Sequence, residues 1–400
     1  MTNWEKQKLG EVCGFVRGPF GGSLKKNTFK PDGYAVYEQQ HAIYDQFVDI
    51  RYFIDQDKFN EMKRFELKPG DLIMSCSGTM GKIAIVPENI KKGIINQALL
   101  KLTPSKKVSN IFLKLWMQSQ SFQDSIKEYS QGAAIQNVAS VAILKKIEIP
   151  LPPLPEQQRI VAILDEAFAS IAKAKANAEQ NLKNAKELFE SYLQSVFATK
   201  GEGWEEKRLG EVCEFKSGTT IPIALERNEG DVLYTKVGDM NLPENQVEIN
   251  TSSRFVKSIE IKNNQIIPKG SIIFPKRGGA IATNKKRKII KPTIVDLNTM
   301  AIIPSKKIDK DFLFHWFQQI DLNDISNGTS IPQINNYSFD EVYISFPISL
   351  STQQTIVNKL DALSAEIKKL EAIYQQKLND LEELKKSVLQ KAFNGDLKTA

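Results

Sequence analysis

WEKQKLGEVCGFVRG, running from Trp4 to Gly18, returns as WEEKRLGEVCEFKSG from Trp204 to Gly218. Nine of the fifteen positions are identical, among them Trp4/Trp204, Leu9/Leu209, Gly10/Gly210, Cys13/Cys213 and Phe15/Phe215, at an offset of 200 residues. Chance does not produce a match of that density, so the chain is a tandem duplication. Outward from this stretch the offset holds. Gly70 in KPGDLIMS answers Gly270 in PKGSIIFP, and Pro104-Ser105-Lys106-Lys107 answers Pro304-Ser305-Lys306-Lys307. Phe112, Leu113 and Trp116 answer Phe312, Leu313 and Trp316; after a small deletion, Gln157-Gln158 and Leu164-Asp165 align with Gln353-Gln354 and Leu360-Asp361 at an offset of 196. A period near 200 is too long for a solenoid repeat, so each copy reads as one whole domain plus an appendage.

Within each copy the pattern changes character. Residues 1–150 mix short β-branched runs (Leu72 to Met74, Lys82 to Val86, Lys146 to Ile149) with Gly, Pro and Asn punctuation and one helical stretch near Phe112 to Gln123, which predicts an α+β or mostly β globule. Pro150, Pro152, Pro153 and Pro155 then interrupt regular structure, and Glu156 opens a stretch without Gly or Pro that predicts a helix to Ala198. The second copy repeats the plan: a globule over 200–348, an N-cap at Ser351 or Thr352, and a helix to Phe393 before Gly395. The four segments are therefore 1–150, 151–199, 200–348 and 349–400. Apolar residues of the second helix fall on heptad rows, Leu360, Ile367, Tyr374, Leu381, Val388 and Leu363, Leu370, Leu384; the first offers Leu164, Ile171, Ala178, Ala185, Tyr192 and Ala167, Ala174, Leu188. An alanine-rich seam facing a bulky one suits close pairing of the two helices; the alternative is that each helix lies only on its own globule.

Composition narrows the class. Lys and Arg exceed Asp and Glu by seven, which favours a polyanionic partner. The only cysteines are Cys13, Cys76 and Cys213, with no CxxC spacing, so neither a disulfide framework nor a zinc site is expected, in keeping with a reducing cytoplasm. The opening MTNWEKQKLGEV has no signal-peptide core, and no run approaches the roughly 20 apolar residues that span a bilayer; the reading is a cytoplasmic protein with no membrane partner.

A globule, a long helix, a second copy of the globule and a second long helix resemble, over the whole chain, the DNA-specificity subunits of type I restriction-modification systems. The signatures are the openings WEKQKLGEVC and WEEKRLGEVC, the segment IEIPLPPLPEQQRIVAILDEAF, and its weaker echo ISFPISLSTQQTIVNKLDAL, which carries Ser351-Thr352 where the first has Pro155-Glu156. The resemblance implies an α+β fold: two tandem homologous α/β target-recognition domains, separated by two long antiparallel coiled-coil helices, in pseudo-twofold relation. It implies that each globule reads one half of a bipartite double-stranded DNA target. Two adenine methyltransferase subunits would dock on the helices and flanks, and restriction/translocase subunits would join that core.

No catalytic set accompanies these motifs. An adenine methyltransferase needs an Asn-Pro-Pro-Tyr-like turn and a Gly-rich cofactor loop, and neither occurs. SGTMGK at Ser77 to Lys82 lacks phosphate-loop spacing, and Pro31-Asp32 with Glu38 and Gln40 is only a faint nuclease pattern. His41 is expected at the surface and His315 in helix packing. A non-catalytic subunit without cofactor or metal is the expectation; a coiled-coil protein-binding scaffold is the alternative, and a detached end of a fused enzyme a lesser one.

Reading DNA requires cations for phosphates and amides or guanidinium groups for base edges. Between Glu260 and Asp296 no acidic residue intervenes, and Lys276, Arg277, Asn284, Lys285, Lys286 and Arg287 form the strongest candidate, with Gly278-Gly279 predicting a loop. Ser77, Thr79 and Lys82 are its counterparts in the first globule. Near the start of each copy lie Arg17, Lys25 and Lys26, and Lys216 and Thr219; after a following short strand come Gln39 and Gln40, and Lys236.

Overall fold

The computed structural model describes residues 4–128, 141–328 and 330–397. The chain divides into two compact units, Met1–Glu179 with Gln375–Ala400, and Gln180–Tyr374. In the first, a four-stranded sheet takes the order Cys13–Arg17, Leu99–Pro104, Leu72–Ser75, Ile83–Ile85, and a three-stranded sheet the order Phe53–Ile54, Tyr34–Tyr37, Gly93–Ile95. In the second, Cys213–Ser217, Thr299–Pro304, Ile272–Pro275, Arg287–Ile289 and Glu248–Ile249 form a five-stranded sheet, with Phe255–Val256, Val232–Thr235 and Thr293–Val295 beside it. A two-stranded ribbon closes each globule by pairing its first strand with its last, Lys6–Lys8 with Glu148–Pro150 and Trp204–Arg208 with Tyr343–Pro347.

The duplication extends to register. Cys13 opposes Pro104 and Arg17 opposes Leu100; Cys213 opposes Pro304 and Ser217 opposes Met300. The shared glycines have a physical reason. A Cβ on Gly18 would stand 1.8 Å from the Asn96 carbonyl oxygen, and one on Gly218 1.8 Å from that of Asp296. Both glycines let the first strand leave the sheet against the strand crossover. The single helix expected near Phe112 is instead two, Asn110–Gln118 and Gln120–Glu128. Ser119 between them is extended (φ −66°, ψ 154°) and fully buried, so packing overrides a helical pattern that the sequence carries straight through.

The long helices run Leu154–Ala198 and Leu350–Phe393. Ser349, not Ser351 or Thr352, caps the second: its Oγ accepts from the Thr352 N–H at 3.3 Å. Each globule's core takes in the start of one helix and the end of the other. Ile160, Leu164, Leu389, Ala392 and Phe393 join the first, and Leu193, Phe197, Val357 and Leu360 the second. Phe393 meets Phe112 edge-on at 5.2 Å, and Phe197 meets Phe312 at 5.2 Å in the same way. The helices run antiparallel in each unit: Lys385 lies over the Phe168 ring and Lys175 pairs with Glu382 at 2.7 Å in the first, while Lys186 approaches Glu371 at 4.0 Å in the second.

In the first heptad row Leu164 and Leu360 are fully buried, Ile367 is 6% exposed, and Ile171 and Leu381 are half-buried, while Tyr192 is exposed. The other row is displaced. Leu188 (58% exposed), Leu370 (39%) and Leu384 (48%) face outward, whereas Phe168 and Phe189 pack against the cores of their units and Leu182, Leu363, Ser364, Glu371 and Leu378 are half-buried. A step of four residues advances roughly 40° and a step of three falls back roughly 60°, so the two candidate rows flank the same first row. Leucines on the wrong side made the three-residue step look apolar.

At each helix start a buried glutamine ties helix to globule. Gln157 Oε1 accepts from the Ser109 N–H (2.9 Å) while its Nε2 donates to the carbonyls of Lys107 (3.0 Å) and Pro152 (2.9 Å). Gln353 repeats this with the Asp309 N–H (2.7 Å) and the carbonyls of Lys307 (3.1 Å) and Pro347 (2.8 Å). Both are fully buried, whereas Gln158 and Gln354 are exposed.

Candidate nucleic-acid interface

Strand direction decides where the polar loops meet. Cys13–Arg17 and Leu72–Ser75 both run antiparallel to Leu99–Pro104, so their C-terminal ends lie side by side, Arg17 opposite Leu100 and Ser75 opposite Leu99. Tyr34–Tyr37 runs parallel to Gly93–Ile95 and ends at the same crossover, where the Asn96 N–H donates to the Tyr37 carbonyl at 2.9 Å. Arg17, Gln39 and Ser77 are thereby gathered on one edge. Burial pushes the Cys76 thiol up to about 11 against the charge and hydrogen bond of Arg17, and the Ser77 hydroxyl donates to Gln39 Oε1 at 3.3 Å.

The second globule assembles the same edge with different chemistry. Ser217 occupies the place of Arg17 and Lys276 that of Cys76, and Lys276 Nζ donates to Ser217 Oγ at 3.0 Å. The cation has changed strands while the contact has stayed. Burial, and then Arg277, hold the Lys276 ammonium below its ordinary value. Arg277 is exposed and pairs through its backbone with Gln333, so residues 331–333, which the sequence reading did not single out, flank the edge. Lys236 follows the strand Val232–Thr235 but is engaged by Glu226 at 3.0 Å, and Thr219 is held by its N–H to the Val295 carbonyl. Exposed apolar residues lie in the loops after the first strands, Phe20 at 91% and Ile223 at 86%. Their signal was an apolar side chain set among Gly, Pro and Lys.

Other sequence candidates lie elsewhere. Gln40 Nε2 donates to the Asp49 carbonyl at 3.1 Å and so holds its own loop. Lys25 and Lys26 are exposed beside a turn closed by Thr28 Oγ1 on the Lys25 carbonyl. Thr79 is exposed while its carbonyl accepts from Ser75 Oγ, and Lys82 lies in a cleft with Phe168, Glu382 and Lys385. Lys216 Nζ donates to the Ile266 carbonyl, and Lys285 Nζ to Asn241 Oδ1. Asn284 takes a left-handed conformation (φ 49°), and its Oδ1 accepts from the Leu322 N–H and from Lys286.

Lys286 and Arg287, expected to touch DNA, are buried instead at 2% and 9% exposure. Lys286 Nζ donates to the Ile320 carbonyl (2.6 Å), and the Arg287 guanidinium to those of Lys286 (2.9 Å) and Met240 (3.2 Å). A run of basic letters does not say which of them the strand turns inward. His41 also corrects an expectation. It is fully buried, its Nδ1 accepting from the Glu38 N–H (2.9 Å) and its Nε2 donating to the Asp49 carbonyl (3.0 Å). His315 packs in helix Lys310–Gln318 with Nε2 2.8 Å from Asp361. Asp32 pairs with Lys91 and Glu38 with Arg51, and no cluster of three metal-binding side chains occurs among the described residues.

Burial pushes the Lys286 ammonium down from its ordinary 10.5 to about 8, the charge of Asp321 opposing. The unfolded chain keeps this proton up to about pH 10.5, so from about pH 8 upward it binds more protons than the folded chain and stability rises with pH. Below about pH 8 the cost of the buried charge is present in full. Lys286→Ile is expected to stabilise the chain near neutral pH by about 1–3 kcal/mol and to abolish that rise. Urea unfolding of variant and parent across this range checks it. An unchanged slope counts against the assignment. The difference between the two proteins is what matters, because the buried thiols of Cys13, Cys76 and Cys213, raised to about 12, 11 and 12, lower stability as pH rises above 9.

No helix among the described residues is long and apolar enough to cross a membrane. The chain is 25% identical to the MjaVIII type I restriction enzyme specificity subunit of Methanocaldococcus jannaschii, over 99% of this chain and 93% of the relative. It is 24% identical to the StySPI specificity subunit of Salmonella potsdam over 98% and 89%. Two solved folds are similar: a chain of a complex described for the assembly and conformational transition of the type I R-M system (TM-score 0.81, 19% identity, 99% of each chain), and the HsdS subunit of Thermoanaerobacter tengcongensis (TM-score 0.66, 19% identity, 99% and 98%). The sequence profile of the type I restriction modification DNA specificity domain matches twice, over residues 1–183 and 201–382, and the chain therefore belongs to that family.

Proposed function

We propose that this chain is the sequence-reading, non-catalytic subunit of a type I restriction-modification complex. Residues 1–150 bind one half of a split duplex target and residues 200–348 the other, while 151–199 and 349–400 set the gap between them. The supporting observation is the edge that both globules build from the same strand ends with different donors: Arg17, Ser77 and Gln39 in one, Ser217, Lys276 and Arg277 in the other. One framework with two sets of polar groups suits two different half-sites. Outward-facing Leu188, Leu370, Ile373 and Leu384 give the helices apolar surface for methyltransferase subunits to cover, with restriction subunits joining that core. Such a complex works in the cytoplasm, where its DNA lies.

Co-expression with the neighbouring methyltransferase, followed by single-molecule sequencing of adenine methylation, tests this. A split motif with a fixed gap is expected, and exchanging residues 1–150 or 200–348 is expected to replace one half-site at a time. Arg277→Ala is expected to weaken DNA binding by about tenfold or more and relax only the half-site of its globule. Arg17→Ala is expected to relax only the other. A stable complex that binds DNA without regard to sequence would favour the scaffold reading instead.

A further inference from the structure

Phe20 and Ile223 stand almost wholly in solvent, each directly after a proline in the loop that follows strand Cys13–Arg17 or Cys213–Ser217. A single exposed apolar residue is ordinary on a protein surface. Here, however, neither residue is needed to pin its loop. Leu24 (9% exposed) joins the small core of Val36, Ile54 and Phe59 beneath the first loop, and Ile221 (2%) joins that of Val232, Tyr234 and Ile294 beneath the second. Each loop packs one aliphatic side chain and holds another apolar one out. The backbone that does so is ordered. The Gly18 N–H donates to the Leu99 carbonyl at 2.9 Å, Pro19 is buried, and the Phe20 carbonyl accepts from the Ser23 N–H at 2.8 Å. The Pro222 carbonyl closes a similar turn by accepting from the Leu225 N–H at 2.8 Å. A loop already ordered loses little entropy when it binds.

The duplication supplies an internal control. The offset of 200 pairs Phe20 with Thr220 and Ile223 with Ser23, so the two are not one inherited residue. Both copies display an apolar side chain from the same loop at different positions. The setting is cationic. Between Glu11 and Asp32 no acidic residue occurs, and the stretch carries Arg17, Lys25, Lys26 and Lys30, of which Lys30 pairs with Asp55. The second loop has no acidic residue between Glu214 and Glu226, and Lys276 reaches its strand end at Ser217. An apolar group among cations suits a polyanion that itself carries an apolar feature. Two residues of chain span at most about 7 Å, so Phe20 lies within about two base-pair rises of Gly18 and the strand-end edge. In the major groove the apolar group that a base pair presents is the C5 methyl of thymine.

We propose that Phe20 reads a thymine through its C5 methyl in the half-site bound by residues 1–150, and that Ile223 does the same in the half-site bound by residues 200–348. The inference rests on the DNA-reading proposal and deepens it. The polar groups of each edge select bases by hydrogen bonds, and the apolar residue beside them adds one A·T pair, its orientation set by the side of the groove on which the methyl stands. Burying the methyl against a ring or a branched aliphatic chain favours thymine over cytosine at that place.

Once methylation mapping has given the half-sites, the complex with its methyltransferase is titrated by fluorescence anisotropy against duplexes carrying the mapped motif. Thymines are replaced one at a time by deoxyuridine, which lacks only the methyl and keeps every hydrogen bond. At one position of the first half-site the replacement is expected to weaken binding by the parent about three- to fivefold. Phe20→Ala is expected to weaken binding to the thymine duplex by at least as much, to lose the deoxyuridine penalty at that position, and to keep the penalty in the other half-site. Ile223→Ala is expected to do the converse. Both changes are at exposed side chains and are expected to leave the Tm unaltered. A parent that prefers its mapped motif to a scrambled duplex yet is indifferent to every deoxyuridine overturns the methyl contact and leaves the DNA-reading proposal standing. A parent that ignores sequence overturns both. A loss on Phe20→Ala that is equal on thymine and deoxyuridine duplexes also overturns the methyl contact, and points to a wedge between base steps instead.

Discussion

Gln157→Ala is expected to destabilise the first unit by about 3–5 kcal/mol, because it strands a buried N–H and two buried carbonyls at once. The orphaned groups are the Ser109 N–H and the Lys107 and Pro152 carbonyls, which lie at the start of helix Asn110–Gln118 and of the long helix. Gln158→Ala, at the exposed neighbour, is expected to stay within about 0.5 kcal/mol. Hydrogen–deuterium exchange, peptide by peptide, separates the units: protection is expected to fall around residues 105–115 and 150–165 and to hold around Gln353. Equal effects of the two substitutions would remove the clamp from the account of the motif. The clamp also explains why the first glutamine, Gln157 and Gln353, stands in both copies while the residues before it, Pro155-Glu156 and Ser351-Thr352, differ. Its amide fits a backbone geometry that both copies share, and the residues before it face solvent or complete the first turn.

The second large effect is expected at the seam. Ile367→Asp places a carboxylate where the parent side chain is 6% exposed, which is expected to cost about 4 kcal/mol or more in pairing of the helices. Leu370→Asp, three residues on and 39% exposed, is expected to cost little stability. Circular dichroism and urea unfolding read this contrast, and methylation mapping reads its consequence: with Ile367→Asp the split motif is expected to be lost or to change its gap. A seam that tolerates Ile367→Asp as well as Leu370→Asp would mean that the rows have been assigned to the wrong faces. Under the proposed function Leu370→Asp is instead expected to weaken capture of the methyltransferase, separating helix pairing from partner docking in one experiment.

The strand-end edge shows how one fold serves two recognitions. Register of the strand pair that opens each sheet is copied residue for residue, glycines guard the same close approach, and the core aromatics meet edge-on at the same distance. Yet the cation of the edge moves from the end of strand Cys13–Arg17, at Arg17, to the residue just past strand Ile272–Pro275, at Lys276. Backbone pairing fixes where the side chains stand and leaves their chemistry open to change.

The sequence by itself determined the duplication, the order of globules and long helices, and the helix ends to within a few residues, because identity at a fixed offset and unbroken runs without Gly or Pro are properties of the chain alone. It also determined one heptad row. Which leucines formed the second row, which of Lys276, Arg277, Lys285, Lys286 and Arg287 faced solvent, and that His41 lay inside were decided only by the tertiary structure. Those are questions of direction: a helix presents apolar residues on both sides of a row, and a strand alternates its side chains across a sheet whose other face is supplied by residues far away in sequence. The clamp of Gln157 and the meeting of Arg17, Gln39 and Ser77 belong with them, since each joins groups brought together by the pairing of strands distant along the chain.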